Sequence, residues 1–236
     1  MTDIHNHILY GADDGAADEQ AMFAMLDAAY AEGIRTLCAT PHFHPGFFGD
    51  NREAVRNAFE KLKKYAGKYP DLKLCLGNEL RYSAGCLEWL ETGQCRTLND
   101  GRYLLVDFVA NDSASFIVSA LQKLMNDGYH PILAHAERYN KLYSDNRELR
   151  YLKRIGVIIQ LDASSIIGKS GYREKVRSRK ILKDGLADVV ASDAHDLKGS
   201  AECLRPCHDY VEKKAGHETA ERLFSINPTN ILSGTI

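Results

Sequence analysis

The sequence predicts an α/β fold: a distorted parallel barrel of seven strand–helix units, (β/α)7, in a single domain over residues 1–236. Three observations carry this expectation. Short apolar runs alternate with helical periodicity about every 30 residues, the pattern of parallel strands joined by crossover helices. Gly33, Gly128, Gly156 and Gly185 each stand between a helix and the next strand, where a residue with positive φ ends a helix cheaply. The chain has 236 residues, 44% of them hydrophobic, enough for one α/β barrel of roughly 200–250 residues with a full core.

The elements follow in order. Asp3–Leu9 reads as the opening strand. Glu19–Ala31 reads as a helix, because Met22, Met25, Leu26 and Ala29 repeat on one face. Strand Thr36–Ala39 precedes helix Arg52–Ala66, and strand Leu72–Leu76 leads to strand Tyr103–Val109. Helix Ser115–Met125, strand Pro131–Ala134, helix Asn146–Arg154 and strand Val157–Leu161 come next. Helix Arg173–Leu182 and strand Asp188–Ala191 complete the pattern. No internal repeat or low-complexity block interrupts it.

Charge and composition exclude several function classes. With 30 basic against 32 acidic residues and a net charge of −2, the chain lacks the basic excess of a nucleic-acid module. Neither a basic-then-apolar leader nor a membrane-length apolar run is present, so a cytoplasmic protein without membrane insertion is expected. Six scattered cysteines suit reduced thiols better than a disulfide scaffold. Cys203, Cys207 and His208 lack the second cysteine pair of a zinc site.

The informative residues stand at or just beyond the strand ends. They are His5 and His7, then Pro41–His42, Glu79, Asp107, His135, Gln160 and Asp162, and finally Asp193 and His195. Parallel barrels collect strand C-termini on one face, where active sites form. Two histidines two apart in a strand point to one side, and a carboxylate such as Glu79 can bridge two ions. Asp14, in Asp13–Asp14–Gly15, reads either as a turn residue or as a further ligand. Several imidazoles and carboxylates without thiolate suit manganese, iron or zinc in a multinuclear site. His44, His130, His208 and His217 lack such company and read as surface or supporting residues.

These residues also carry a resemblance. Asp3–His7, Asp13–Gly15, His42, Gly77–Glu79, His135–Tyr139 and Ser192–His195 resemble the polymerase and histidinol phosphatase (PHP) superfamily. Within it the chain is most similar to the bacterial manganese-dependent protein-tyrosine phosphatases of capsule and exopolysaccharide synthesis. The likeness extends to Thr97–Asp100 and Asn227–Pro228. It implies a distorted barrel holding up to three ions, manganese first, with iron or zinc as the other choices. By resemblance, His5, His7, Glu79 and Asp193 hold one ion, Glu79, Asp107 and His135 a second, and Asp14, His42 and His195 a third. Arg138 falls where the family has an arginine beside the metals, whose planar fork neutralises a phosphate oxygen.

Two positions depart from the family pattern: Asp107 replaces a glutamate, and Ser200 stands where a second arginine is common. The expected activity is phosphomonoester hydrolysis, with a hydroxide between two ions attacking phosphorus. The expected substrate is a phosphotyrosine protein, a bacterial tyrosine autokinase. Histidinol phosphate or another small ester is the first alternative, and a noncatalytic metal-binding regulator the second. A cysteine phosphatase is the least favoured, because Cys75–Arg81 has the C-x5-R spacing but Glu79 would put negative charge inside the phosphate loop.

Overall fold

The computed structural model describes residues 1–143, 145–197 and 202–235. Among them are nine strand segments: β1 (Thr2–Asp3), β2 (Thr36–Ala39), β3 (His42–Phe43), β4 (Lys73–Leu76), β5 (Glu79–Arg81), β6 (Tyr103–Asp107), β7 (His130–Leu133), β8 (Ile158–Asp162) and β9 (Val189–Ala191). They form one sheet in the order β1-β2-β4 and another in the order β3-β5-β6-β7-β8-β9. Every pairing is parallel. Only Thr40–Pro41 separates β2 from β3, and only Gly77–Asn78 separates β4 from β5, so the nine segments trace seven strands of one curled parallel sheet. A parallel bridge between Asn6 and Ala194 joins its two edges.

Helices α1 (Glu19–Ala31), α2 (Pro45–Phe48), α3 (Arg52–Ala66), α4 (Cys86–Glu91), α5 (Ala114–Asn126) and α6 (Arg147–Ile155) make the first crossovers. Helices α7 (Ala163–Ile167), α8 (Tyr172–Lys183), α9 (Leu204–Ala215), α10 (His217–Glu221) and α11 (Asn227–Ser233) follow. α1 begins where Asp18 accepts the Ala21 N–H at 2.8 Å, satisfying one of the donors that every helix start leaves over. It buries the expected Met22, Met25, Leu26 and Ala29. Ser113 caps α5 through the Phe116 N–H. The four glycines expected to close helices all have φ between +69° and +103°.

The opening strand is a correction. It is expected over Asp3–Leu9, but the ladder with β2 holds only Thr2 and Asp3. Beyond Asp3 the polar groups take other partners: Asn6 N–H donates to Thr40 Oγ1 at 3.0 Å and His7 N–H to the Ala194 carbonyl at 2.8 Å. A ladder cannot continue through residues whose backbone bonds are spent on the seam. Glu79 likewise opens β5 rather than trailing its predecessor.

Candidate metal centre

All the strand C-termini open on one rim. His135 and Asp193 stand there with φ of +33° and +51°, a region that costs non-glycine residues energy and is tolerated where the surroundings fix it. The turn 13–15 folds over His7 so closely that a Cβ on Gly15 would lie 1.8 Å from the His7 carbonyl oxygen; only glycine fits.

Glu79, fully buried, is the hub. Its Oε2 lies 2.8 Å from His42 Nδ1 and 3.3 Å from both His5 Nε2 and His7 Nε2. None of these contacts is an aligned hydrogen bond, so Oε2 is a buried anionic atom without one. Its Oε1 meets His135 Nε2 at 2.9 Å. His5 and His7 also turn their Nε2 atoms to Asp193 Oδ1, at 3.2 and 3.4 Å, and to each other at 3.3 Å. Asp14 Oδ1 stands 3.6 Å from His42 Nε2 and 3.5 Å from His195 Nε2. Asp107 Oδ1 lies 3.7 Å from His135 Nε2.

Four overlapping groups result: His7–Asp14–His42–His195, His5–His7–Asp193, His5–Glu79–His135 and His42–Glu79–Asp107. Within each, one potential ligand atom per residue lies within 4.8 Å of the others. The structure thus brings together all nine side chains singled out in the sequence. His5 and His7 converge although they do not lie in a strand, because the seam, not the pleat, sets their direction.

Electrostatics follow from this crowding. Burial opposes charge on His5, but Glu79 and Asp193 outweigh it and raise its pKa to about 9. His7 is lifted well above the usual imidazole value despite burial, by Asp13, Asp193 and Glu79. Against burial, the surrounding imidazoles hold Glu79 far below the usual carboxylate range. They do the same for Asp193, with help from Arg138. Burial and then Glu79 push Asp107 up, and burial together with His7 pulls His195 down.

A supporting layer surrounds the ligands; of it, Gln160, Asp162 and Arg138 are noted from the sequence, but not the roles of Asp13 and Tyr139 or the Arg81–Asp107 pair. Asp13, not singled out, holds His7 Nδ1 at 2.7 Å and the His42 N–H at 2.8 Å. Gln160 Oε1 meets His5 Nδ1 at 3.1 Å and accepts the His135 N–H at 2.8 Å. The Tyr139 hydroxyl donates to Asp107 Oδ1 at 3.1 Å. Arg138 pairs with Asp193 and, at 2.6 Å, with Asp162 Oδ2. Arg81 pairs with Asp107 Oδ2 at 2.6 Å, so the shorter carboxylate is gripped by a guanidinium on its far side. Ser200 lies outside the described residues.

Three other sequence readings are resolved. Cys75 sits in β4 with its thiol pKa raised by burial, and Arg81 is committed to Asp107, so no C-x5-R phosphate loop exists. Cys203 and Cys207 are buried and form no disulfide. His208 is not at the surface: α9 buries it edge-on against Phe224, 5.4 Å between ring centres. It lies in a separate His208–Asp209–Glu212 group. His130 and His217 are exposed.

Residues 1–233 match the protein family described as capsular polysaccharide synthesis, CpsB/CapC. The tyrosine-protein phosphatase CpsB of Streptococcus pneumoniae is 32% identical over 238 residues, covering 98% of each chain. The tyrosine-protein phosphatase YwqE of Bacillus subtilis is 33% identical over 219 residues, 92% of this chain and 86% of that one. A solved structure from the YwqE and CpsB pair, metal-dependent tyrosine phosphatases, aligns with a TM-score of 0.90 at 32% identity, covering 100% of this chain and 96% of that one.

Proposed function

The chain belongs to the CpsB/CapC family of capsular polysaccharide synthesis, and from that premise we propose that it is a metal-dependent protein-tyrosine phosphatase formed by one domain over residues 1–236. The observation that carries the reading is Glu79 Oε2, a buried anionic oxygen facing three imidazole nitrogens without a hydrogen bond. Such an atom is costly to bury, and a set of nitrogen and carboxylate oxygen donors without thiolate suits divalent cations. The donor types fit the group, and the family pattern assigns them: His5, His7, Glu79 and Asp193 would hold one ion, Glu79, Asp107 and His135 a second, and Asp14, His42 and His195 a third. Manganese is the first choice, ahead of iron and zinc.

When bound, the ions supply an acidified water as nucleophile and charge to offset the phosphoryl oxygens. The chain's own residues do the rest. Asp13 and Gln160 fix the ring orientations of His7 and His5, the outer partners that make imidazoles dependable ligands. Asp162 and Asp193 hold the Arg138 guanidinium at the rim, where its remaining N–H groups face an incoming phosphate. A phenol leaves with a pKa near 10, so the tyrosyl oxygen departs more readily than an alkoxide would.

The proposed substrate is the phosphorylated tyrosine autokinase of polysaccharide synthesis, and the proposed location the cytoplasm. The family's role in capsular polysaccharide synthesis supports the first, and cysteines outside any disulfide support the second. No helix among the described residues is long and apolar enough to cross a membrane.

The test is turnover of a phosphotyrosyl peptide and of histidinol phosphate by chelated protein and by protein reloaded with each metal. Activity that needs metal, favours phosphotyrosine and survives Cys75→Ser is expected. Turnover that persists through chelation, or a preference for histidinol phosphate, overturns the reading.

A further inference from the structure

Helix α8 concentrates charge in a chain that is nearly neutral overall. Its 12 residues hold Arg173, Lys175, Arg177, Arg179, Lys180 and Lys183 against the single acid Glu174. Among the described residues no carboxylate forms an ion pair with any of the six. Arg173 and Arg177, Lys175 and Arg179, and Arg179 and Lys183 are like charges four apart, an arrangement that weakens a helix. A sequence that keeps it, while pairing cations elsewhere, leaves this face short of counter-charge.

One member of the stripe ties the helix to the candidate site. Arg177, buried, donates through Nη1 to Asn140 Oδ1 at 2.9 Å and to the Glu137 carbonyl at 3.4 Å, bracketing the turn that carries Arg138. Arg177 and Lys180 lie over the Tyr143 ring at 4.7 and 5.4 Å. Burial and then Arg173 pull the Arg177 pKa down, and the single acid Glu174 does not offset them. Outward, Tyr172 and Val176 are 83% and 40% exposed beside Arg173, the aromatic and arginine composition that anchors protein contacts.

We infer that α8 is a docking surface for an anionic stretch of the substrate polypeptide, its charge supplied by carboxylates and further phosphotyrosines next to the one being hydrolysed. The inference rests on the phosphatase reading above. A bilayer surface fits less well: an interfacial helix turns a full apolar face outward, whereas α8 exposes only Tyr172 and Val176 of its apolar residues and packs Ile181 and Leu182 into the core.

The experiment uses the full, metal-loaded chain and the triple variant R173Q/K180Q/K183Q, with R173K/K180R/K183R as the charge-preserving control. Substrates are p-nitrophenyl phosphate, a phosphotyrosyl peptide with neutral flanks, and one with glutamate flanks and a second phosphotyrosine. For the anionic peptide alone the triple variant's KM should rise roughly tenfold, from two exposed charges, Arg173 and Lys183, and the half-buried Lys180, each of modest individual effect, with kcat unchanged. Raising salt from roughly 50 to 300 mM should erase most of the wild-type advantage. The control should match wild type. Anisotropy of a labelled phosphonate analogue of that peptide on metal-free protein should show the same loss of binding.

A KM change under about twofold, or one equal for the neutral peptide, overturns the inference. So does a triple variant that loses binding to phosphatidylglycerol vesicles while keeping its peptide KM, which assigns the face to lipid. Wild-type protein that hydrolyses none of the three substrates overturns the phosphatase reading instead.

Discussion

Glu79→Gln preserves the shape of the hub and removes its charge. At the 3.3 Å between His5 Nε2 and Glu79 Oε2, an ion pair at an effective dielectric near 20 is worth roughly 5 kcal/mol before desolvation is subtracted. Linkage narrows the figure for the metal-free protein. His5 has its pKa raised to about 9 from an ordinary value near 6.5, so protonation stabilises the fold. That stabilisation is complete below pH 6.5 and lost as pH rises through 9; at pH 7 it amounts to roughly 2–3 kcal/mol. Metal-free wild type should therefore lose stability to urea between pH 6.5 and 9, and Glu79→Gln should be less stable at pH 6.5 with a flatter profile. The loaded enzyme should suffer more, because an amide offers one neutral oxygen where a carboxylate offers two anionic ones. Metal content by elemental analysis should fall, and phosphotyrosine turnover should drop on the order of 10³-fold. A variant with full metal content and turnover within about threefold of wild type would refute Glu79 as the hub.

Asp13→Asn keeps a hydrogen-bonding group beside His7 but removes the charge that orients its ring, so metal affinity by competition with a chelator should weaken roughly 10–100-fold. Arg138→Gln should lower kcat/KM for phosphotyrosine on the order of 10²-fold. Arg138→Lys should recover little of it, because a point charge replaces a fork. Burial and the neighbouring Asp162 raise the pKa of Glu137 to about 8, so its neutral form belongs to the native state. The wild type should then lose stability as pH rises from about 4.5 through 8. Glu137→Gln should remove that slope, melting near wild type at pH 5 and above it at pH 8.5.

What was legible in the sequence follows from how local each signal is. α1 and α3 occupy the expected spans 19–31 and 52–66, since an amphipathic stripe is a property of neighbours along the chain. α9 was not read, because its buried stripe is Leu204, Cys207, His208 and Val211, half of it residues that an apolar pattern does not count. α4, six residues long, is too short for periodicity. The ligand candidates were legible because imidazoles and carboxylates at strand ends are conspicuous by type. Asp13, Gln160 and Arg81 act through hydrogen bonds and ion pairs to groups 6, 155 and 26 positions away. No spacing rule reaches the two longer pairings, and Asp13 is hidden by its neighbour Asp14.

The seam explains why fold and site cannot be separated here. β1 gives only two residues to its ladder, and past it the ring is closed by few backbone contacts: the Asn6–Ala194 bridge, His7 N–H to the Ala194 carbonyl at 2.8 Å and Asp193 N–H to the His5 carbonyl at 2.9 Å. Asp3 reinforces them by accepting the Ser192 N–H at 3.0 Å and hydroxyl at 2.7 Å. These contacts join segments some 187 residues apart, so the loop they close is nearly the whole chain, and closing it carries a large entropic cost. His5 and His7 stand on one side of the seam and Asp193 on the other. A cation shared by them is a crosslink across that loop, and its binding free energy is also folding free energy. Without it, Glu79 and Asp193 favour a proton on His5 at the same place. Ion binding there would exchange that proton for a stronger fastener, so the proposed ligands are also residues that finish the barrel.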